Sequence, residues 1–189
     1  MTKKLFIILP LFALIFTSGG KGSATAQNTP TFDEGVVLRN VRWATRNVAA
    51  PGIFARSPES TGLHFTWEEA QNACPSGWRL PTAAELWILT VVGGIDGGLW
   101  VQRNGVGGRL FGDPPRQIFI PAAGLFDGRY VASRYVAVGV LGSYWSSTSV
   151  YGNLVLGLRM TSRDLDFRVE IVGIRNSNIL LSVRCVAIE

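Results

Sequence analysis

Glycine and proline interrupt the chain after residue 94 so often that this half can hold only short segments of regular structure. Both residues end helices and mark turns, and no helical period is visible between them. The intervals contain apolar, β-branched runs of strand length, and one more such run lies near the start of the chain. The predicted strands are residues 36–44, 118–121, 130–140, 154–160 and 179–186.

Two helix starts are predicted upstream of these strands. Residues 66–69 and 82–85 each begin with threonine and end with glutamate, which is the capping-box pattern. Helical spacing places Cys74 on or next to the apolar face of the first helix, and Gly93-Gly94 should end the second. Two early helices followed by short, mostly antiparallel strands and long loops predict an α+β fold, not a doubly wound sheet.

The first residues have the pattern of a secretory signal peptide. Lys3 and Lys4 precede an apolar run over residues 5–16, and Ala24-Thr25-Ala26 is a small-residue cleavage site. The run is shorter than the roughly 20 residues that a membrane-spanning helix needs. We therefore expect a signal peptide over residues 1–26, a flexible leader over 27–35 and one exported domain over 36–189, without a stable transmembrane anchor.

Charge argues against nucleic acid as a partner. All three lysines lie within residues 1–26, so the mature chain would keep fifteen arginines against thirteen acids, a net charge of about +2 instead of +5. The arginines alternate with acidic and apolar residues and form no basic stripe. In an oxidising compartment Cys74 and Cys185 are expected to pair, and the alternative is two buried free thiols.

Six sequence motifs occur in an order that resembles one known family. They are residues 41–45 (VRWAT), 73–82 (ACPSGWRLPT), 108–112 (GRLFG), 119–124 (FIPAAG), 142–148 (GSYWSST) and 182–186 (SVRCV). Together they resemble the Fibrobacter succinogenes major paralogous domain, over roughly residues 36–187. The resemblance implies a secreted or surface domain, common in Bacteroidetes and Fibrobacteres, with a C-type-lectin-like fold.

The same resemblance has implications for individual residues. It implies a bridge between Cys74, on the first helix, and Cys185, on the final strand. The related group includes target proteins of diversity-generating retroelements, which present a variable ligand surface after a Tyr-Trp-Ser motif. The corresponding segment here is residues 148–181, although its apolar runs at 154–156 and 179–181 depart from the asparagine-rich and tyrosine-rich pattern of that group.

Few residues could support catalysis or bind a metal. His64 is the single histidine, so a catalytic triad or a multi-histidine metal site is excluded by count, and we expect a surface or hydrogen-bonded histidine. Asp164 and Asp166 could act as an acid–base pair or bind calcium, but neutralisation by Arg163 and Arg168 is the commoner outcome. The calcium loops of sugar-binding lectins are missing. The sequence therefore predicts no enzyme, no cofactor and no metal.

The function that we predict first is non-catalytic binding of an extracellular protein or glycan, which includes a role as a receptor or an adhesin. Trp43, Trp78 and Trp145 are expected in the core, whereas Trp100 lies in a glycine-rich segment suited to contact. The alternatives are an enzyme of the formylglycine-generating type and a structural envelope module without a discrete ligand. The predicted ligand-binding residues are Trp100, Arg103, Tyr151, Asn153, Arg159, Arg163, Arg168, Arg175, Asn176 and Asn178.

Overall fold

The computed structural model describes residues 32–91, 98–128, 134–163, 168–174 and 178–189. About half of the described residues lie in strands and fewer than a tenth lie in helices. The protein is therefore β-rich, and the predicted α+β class is wrong. The helices contribute too little of the structure to form a layer of their own.

The first helix begins where it was predicted but ends after one turn. α1 spans Trp67–Ala70, and the Glu69 carboxylate accepts the backbone N–H of Thr66 at 2.9 Å in a complete capping box. Beyond Ala70, the N–H groups of residues 72 and 73 bond to carbonyls three residues back instead of four. Pro75 then restricts the residue before it to extended conformations. Cys74 consequently lies beyond the helix, and its predicted place on the helix is wrong.

The second helix, α2, spans Ala83–Val91 and is also capped as predicted. The Glu85 carboxylate accepts the Thr82 N–H at 2.7 Å, and the Thr82 hydroxyl accepts the Glu85 N–H at 3.2 Å. Glu85 is further held by Arg79, whose guanidinium donates to it at 2.6 and 2.9 Å. This ion pair fixes the start of α2 against the preceding strand.

The described strands are named in chain order. They are β1 (Val36–Leu38), β2 (Val41–Ala50), β3 (Ile53–Phe54), β4 (His64–Phe65), β5 (Trp78–Arg79), β6 (Leu99–Arg103), β7 (Val106–Phe111), β8 (Ile118–Pro121), β9 (Leu125–Asp127), β10 (Arg134–Val136), β11 (Leu141–Val150), β12 (Leu154–Thr161), β13 (Arg168–Ile174), β14 (Ile179–Ser182) and β15 (Arg184–Ala187). Of the predicted strands, residues 118–121 coincide with β8 and residues 154–160 with β12.

These strands form three sheets in the described part of the chain. The first has the order β1-β2-β15-β5, with β3 also paired to β2. The second has the order β10-β9-β14-β11-β12-β13, with β4 paired to β14, and the third is the meander β6-β7-β8. The named strands pair antiparallel except β11 and β14, which pair parallel at Tyr144 and Ser182.

Two predicted strands are each divided in the structure. Residues 36–44 form the β1–β2 hairpin, because Arg39 and Asn40 adopt left-handed φ values of 52° and 62°. Positive φ at both central residues is what a two-residue hairpin turn requires. Residues 179–186 break at Val183, so that β14 joins the second sheet and β15 the first.

The core consists of two hydrophobic clusters that meet at β11. Tyr144 packs into the cluster that contains Trp43 and Phe111, whereas Trp145 packs into the cluster that contains Phe65. Consecutive strand residues point to opposite faces, so one strand serves both clusters. Trp43 and Trp145 are fully buried, as predicted from the sequence.

The disulfide Cys74–Cys185 joins the segment after α1 to β15. This confirms the predicted pairing, and neither cysteine of the described chain is a free thiol. Asp33 belongs to the part of the predicted leader that the structure describes. It is buried, and its carboxylate accepts hydrogen bonds from Thr45 and Arg46 on β2. Asp33 is therefore packed against β2.

Candidate functional site

The structure places Trp100 and Arg103 on β6. The ring of Trp100 lies so close to Gly107 on β7 that a β-carbon there would come within 2.9 Å of it. Arg103 forms an ion pair with Glu59 at 3.6 Å and lies over the ring of Phe119 at 5.4 Å. Both side chains therefore have contacts within the protein, and Arg103 is only partly available to a ligand.

The predicted residues on the long hairpin β11–β12 lie at its two ends. Tyr151 and Asn153 form the turn, where Tyr151 is 94% exposed and has a φ of 23°. Arg159 and Arg163 are exposed near the other end of β12. With a rise of about 3.3 Å per residue, the turn and Arg163 are separated by roughly 30 Å along the strand. They do not form one small contact surface.

A buried arginine that sequence analysis did not select joins two of the predicted regions. The Arg109 guanidinium, on β7, donates to the carbonyls of Gly98 at 2.9 Å, Thr161 at 3.0 Å and Arg163 at 2.9 Å. It thereby holds the start of β6 against the end of β12. The only sequence feature that pointed to Arg109 was its place in the motif at residues 108–112. That motif does not indicate hydrogen bonds to Thr161 and Arg163, which lie more than 50 residues further along the chain.

The remaining predicted residues belong to the second sheet or lie outside the described chain. Arg168 begins β13 and pairs in register with Arg159. Asn178 is exposed, and its carbonyl accepts the N–H of Gly128 at 3.0 Å. Arg175, Asn176, Asp164 and Asp166 lie outside the described residues.

Tyr151→Ala tests whether the hairpin tip serves contact or folding. Because the side chain is almost fully exposed, we expect the free energy of unfolding to change by no more than about 0.5 kcal/mol in urea denaturation. Tyr144→Ala, on the buried part of the same hairpin, is the contrasting variant. A loss above about 1 kcal/mol for Tyr151→Ala would show that the tyrosine packs against the protein.

A cleft of about 530 Å³ lies between β1, α2 and the β7–β8 connection. We call it the β1–α2 cleft; it is lined by residues 37–39, 88–89 and 111–116. Its floor is the core itself, since Leu38, Leu89 and Phe111 are at most 9% exposed. The sequence does not indicate this cleft, because its three walls are far apart in the chain.

The rim of the β1–α2 cleft is charged. Arg39 and Arg116 contribute two positive charges and Asp113 one negative charge to its lining. Its volume is within the range of natural small-molecule sites, which combine an apolar lining with a few placed polar groups. The arrangement can therefore bind an apolar molecule and orient a polar end of it.

His64 is buried and hydrogen-bonded. Its Nε2 lies 3.1 Å from the carbonyl oxygen of Ala123 and 3.4 Å from the hydroxyl oxygen of Ser182. Burial lowers the pKa of His64, and the bonds to the carbonyls of Ala123 and Gly124 only partly oppose this effect. The histidine therefore remains neutral in the fold at neutral pH.

This histidine predicts an acid sensitivity. In the unfolded chain His64 binds a proton near its ordinary pKa of 6.5, whereas the folded protein resists protonation. Stability is then fully present above that pH and is lost as the pH falls from 6.5 towards the lowered folded pKa. We expect the free energy of unfolding to decrease from about pH 7 to pH 5, and His64→Gln to flatten this slope. An equal slope in both proteins would contradict the assignment.

Arg184, which belongs to the motif at residues 182–186, is fully buried. Its guanidinium donates to Asn47 Oδ1 at 2.9 Å and to the carbonyls of Ala44 and Phe119 at 3.0 and 3.2 Å. Burial lowers its pKa to about 10, so it stays charged at neutral pH. Burial also raises the pKa of neighbouring Tyr144 to about 12, and the Tyr144 hydroxyl donates to the Pro121 carbonyl at 2.6 Å. These groups hold four strands together, namely β2, β8, β11 and β15.

The described residues thus form a β-rich, disulfide-linked structure with a cleft over its core. Among the described residues no three histidine, cysteine, aspartate or glutamate side chains form a group that could hold a metal ion. No helix in the described ranges is long and apolar enough to cross a membrane. In comparisons with known proteins, no family, no curated protein and no solved structure matches this chain.

Proposed function

We propose that this chain is an exported, non-catalytic ligand-binding domain and that the β1–α2 cleft is its binding site. The cleft is the single observation that carries the proposal. It is assembled from three separated segments on a packed floor, so its shape exists before a ligand arrives. A preformed site loses less conformational entropy on binding than a surface that must first be ordered.

The disulfide and the buried polar groups support the same proposal. A cross-link between Cys74 and Cys185 is typical of proteins that leave the reducing cytosol. Three buried side chains, those of His64, Arg109 and Arg184, form hydrogen bonds to backbone carbonyls of other segments. These hydrogen bonds stabilise the fold and leave the three side chains engaged within it. An enzyme of the formylglycine-generating type would require a reactive cysteine pair, whereas here the pair is bridged and Cys185 is buried. The relation to the major paralogous domain remains a prediction.

The proposal is tested with an uncharged fluorescent probe, N-phenyl-1-naphthylamine, whose emission rises on entry into an apolar site. Val37 lines the cleft and is 41% exposed, so Val37→Trp should fill the cleft without disturbing the core. We expect saturable binding to the natural chain and at least a tenfold loss in Val37→Trp. Ile88→Trp, from the helix wall, should have the same effect.

Val138→Trp is the matched control, because Val138 is 50% exposed in the turn before β11 and does not line the cleft. It should bind the probe as the natural chain does. Circular dichroism and melting temperature establish that each variant is folded. Equal binding to all four proteins, or no saturable binding to any, would contradict the proposed function.

A further inference from the structure

Among the described residues, Arg116 of the β1–α2 cleft forms no ion pair, and neither does Asp113 on the same rim. The three ion pairs found among the described residues join Arg46 to Asp33, Arg79 to Glu85 and Arg103 to Glu59. Arg116 is exposed and lines both this cleft and a shallower one beside it, formed with Val36 and Val37. Its guanidinium is therefore open to an anion from outside.

The backbone beneath Arg116 is held in place. Its N–H donates to the Asp113 carbonyl at 2.8 Å, and the Gln117 side chain donates to the Gly112 carbonyl at 3.1 Å. Gly112 has a φ of 87° and no room for a β-carbon beside the carbonyl of Arg116. These contacts fix the backbone of the β7–β8 connection at Arg116. Because that backbone is already ordered, it loses less conformational entropy when Arg116 binds a ligand.

The charge of the lining favours an anion. Arg39 and Arg116 contribute two positive charges to the lining and Asp113 contributes one negative charge. Arg39 already has a contact within the protein, so Arg116 is the cation of the lining that is available to a ligand. A low-dielectric wall strengthens the attraction between a cation and an incoming anion relative to open water. A ligand that matches both features has an apolar body and one anionic end.

We propose that the cleft binds a free, single-chain amphiphile with an anionic head group. The chain lies against Leu38, Leu89 and Phe111, and the head group contacts Arg116. This inference rests on the proposed function, since it specifies the ligand of the same cleft. A single molecule is favoured over an anionic membrane surface because the floor residues Leu38, Leu89 and Phe111 are at most 9% exposed at the bottom of the cleft, where one chain can enter but the surface of a bilayer cannot.

The test compares two competitors that differ only in the head group. Decanoate and 1-decanol are titrated against bound N-phenyl-1-naphthylamine at pH about 7.5. We expect decanoate to displace the probe at about fivefold lower concentration, which is the effect of one partly exposed ion pair. Raising the salt concentration should reduce the advantage of decanoate and leave 1-decanol unchanged.

Arg116→Gln should remove most of the preference for decanoate over 1-decanol. Arg56→Gln is the matched control, because it removes the same charge from an exposed residue that does not line the cleft. It should retain the preference. For each variant the preference is the ratio of the two displacing concentrations, so a change in the affinity for the probe itself does not enter the comparison.

The outcomes separate this inference from the proposed function. If the probe enters the cleft but decanoate has no advantage, the anionic ligand class is wrong. If decanoate keeps its advantage in Arg116→Gln, the head-group contact with Arg116 is wrong. In both cases the binding site stands. If Val37→Trp does not reduce probe binding, the site itself is wrong. Sedimentation of the natural chain, but not of Arg116→Gln, with vesicles containing phosphatidylglycerol would overturn the assignment of a free ligand.

Discussion

Replacing Cys185 with serine is expected to lower the free energy of unfolding by about 4–5 kcal/mol. The disulfide spans a sequence separation of 111 residues, and closing a loop of that length restricts the unfolded chain by this amount on the chain-entropy account. The substitution also places a hydroxyl group in the hydrophobic cluster that contains Cys185 and Trp145. Urea denaturation of the oxidised protein and the variant measures the difference.

Cys74→Ser is the matched control for this experiment. It removes the same bond from the half-buried end, so the difference between the two variants reports the cost of the buried hydroxyl at residue 185. Dithiothreitol should destabilise the natural chain and leave both variants unaffected. Unfolding of both variants at the urea concentration of the natural chain would refute a stabilising bridge.

Replacing Trp145 with alanine is expected to cost about 3–5 kcal/mol, the range for truncating a buried tryptophan. Trp145 is fully buried, and its indole N–H donates to the Phe65 carbonyl at 2.7 Å. Gly173 lies directly against its ring, where a β-carbon would come within 2.7 Å. Truncation therefore leaves both a cavity between β11 and β13 and an unpaired buried carbonyl. Urea denaturation again provides the measurement.

Two variants separate the contributions at this position. Trp145→Phe keeps most of the ring volume and removes the N–H, so it should lose about 1–3 kcal/mol, the cost of one unpaired buried acceptor plus a small cavity. Trp87→Ala, on the exposed side of α2, should cost less than Trp145→Ala because Trp87 is 54% exposed. A folded Trp145→Ala protein of unchanged stability would show that the core does not depend on this side chain.

The predictions that held rest on short-range chemistry. Thr66 and Thr82 cap their helices through glutamates three residues away, so the pattern contains both partners of each interaction. The strand predicted at residues 118–121 is continuous, apolar and bounded by turn residues, and β8 coincides with it. Such features are visible in a single window of sequence.

The predictions that failed depend on interactions between distant segments. The helix that was to carry Cys74 ends at Ala70, because the chain there turns and the carbonyl of Ala73 accepts the N–H of Gly52 on a different segment. Residues 179–186 look like one strand, but their two halves pair with different sheets. The β-rich class follows from such pairings, which local propensity does not determine.

The sequence by itself determined where the helices begin, that Trp43 and Trp145 are buried in the core and that the two cysteines pair, whereas Trp78, also predicted in the core, is only partly buried. Each of these follows from residue type, local spacing or count. Only the tertiary structure decided that Arg109 joins β6 to β12, that Tyr151 and Arg163 lie at opposite ends of one hairpin, and that β1, α2 and the β7–β8 connection enclose a cleft. The physical reason is that a concave site consists of the space between packed elements, and that space exists only once segments up to 80 residues apart have come together.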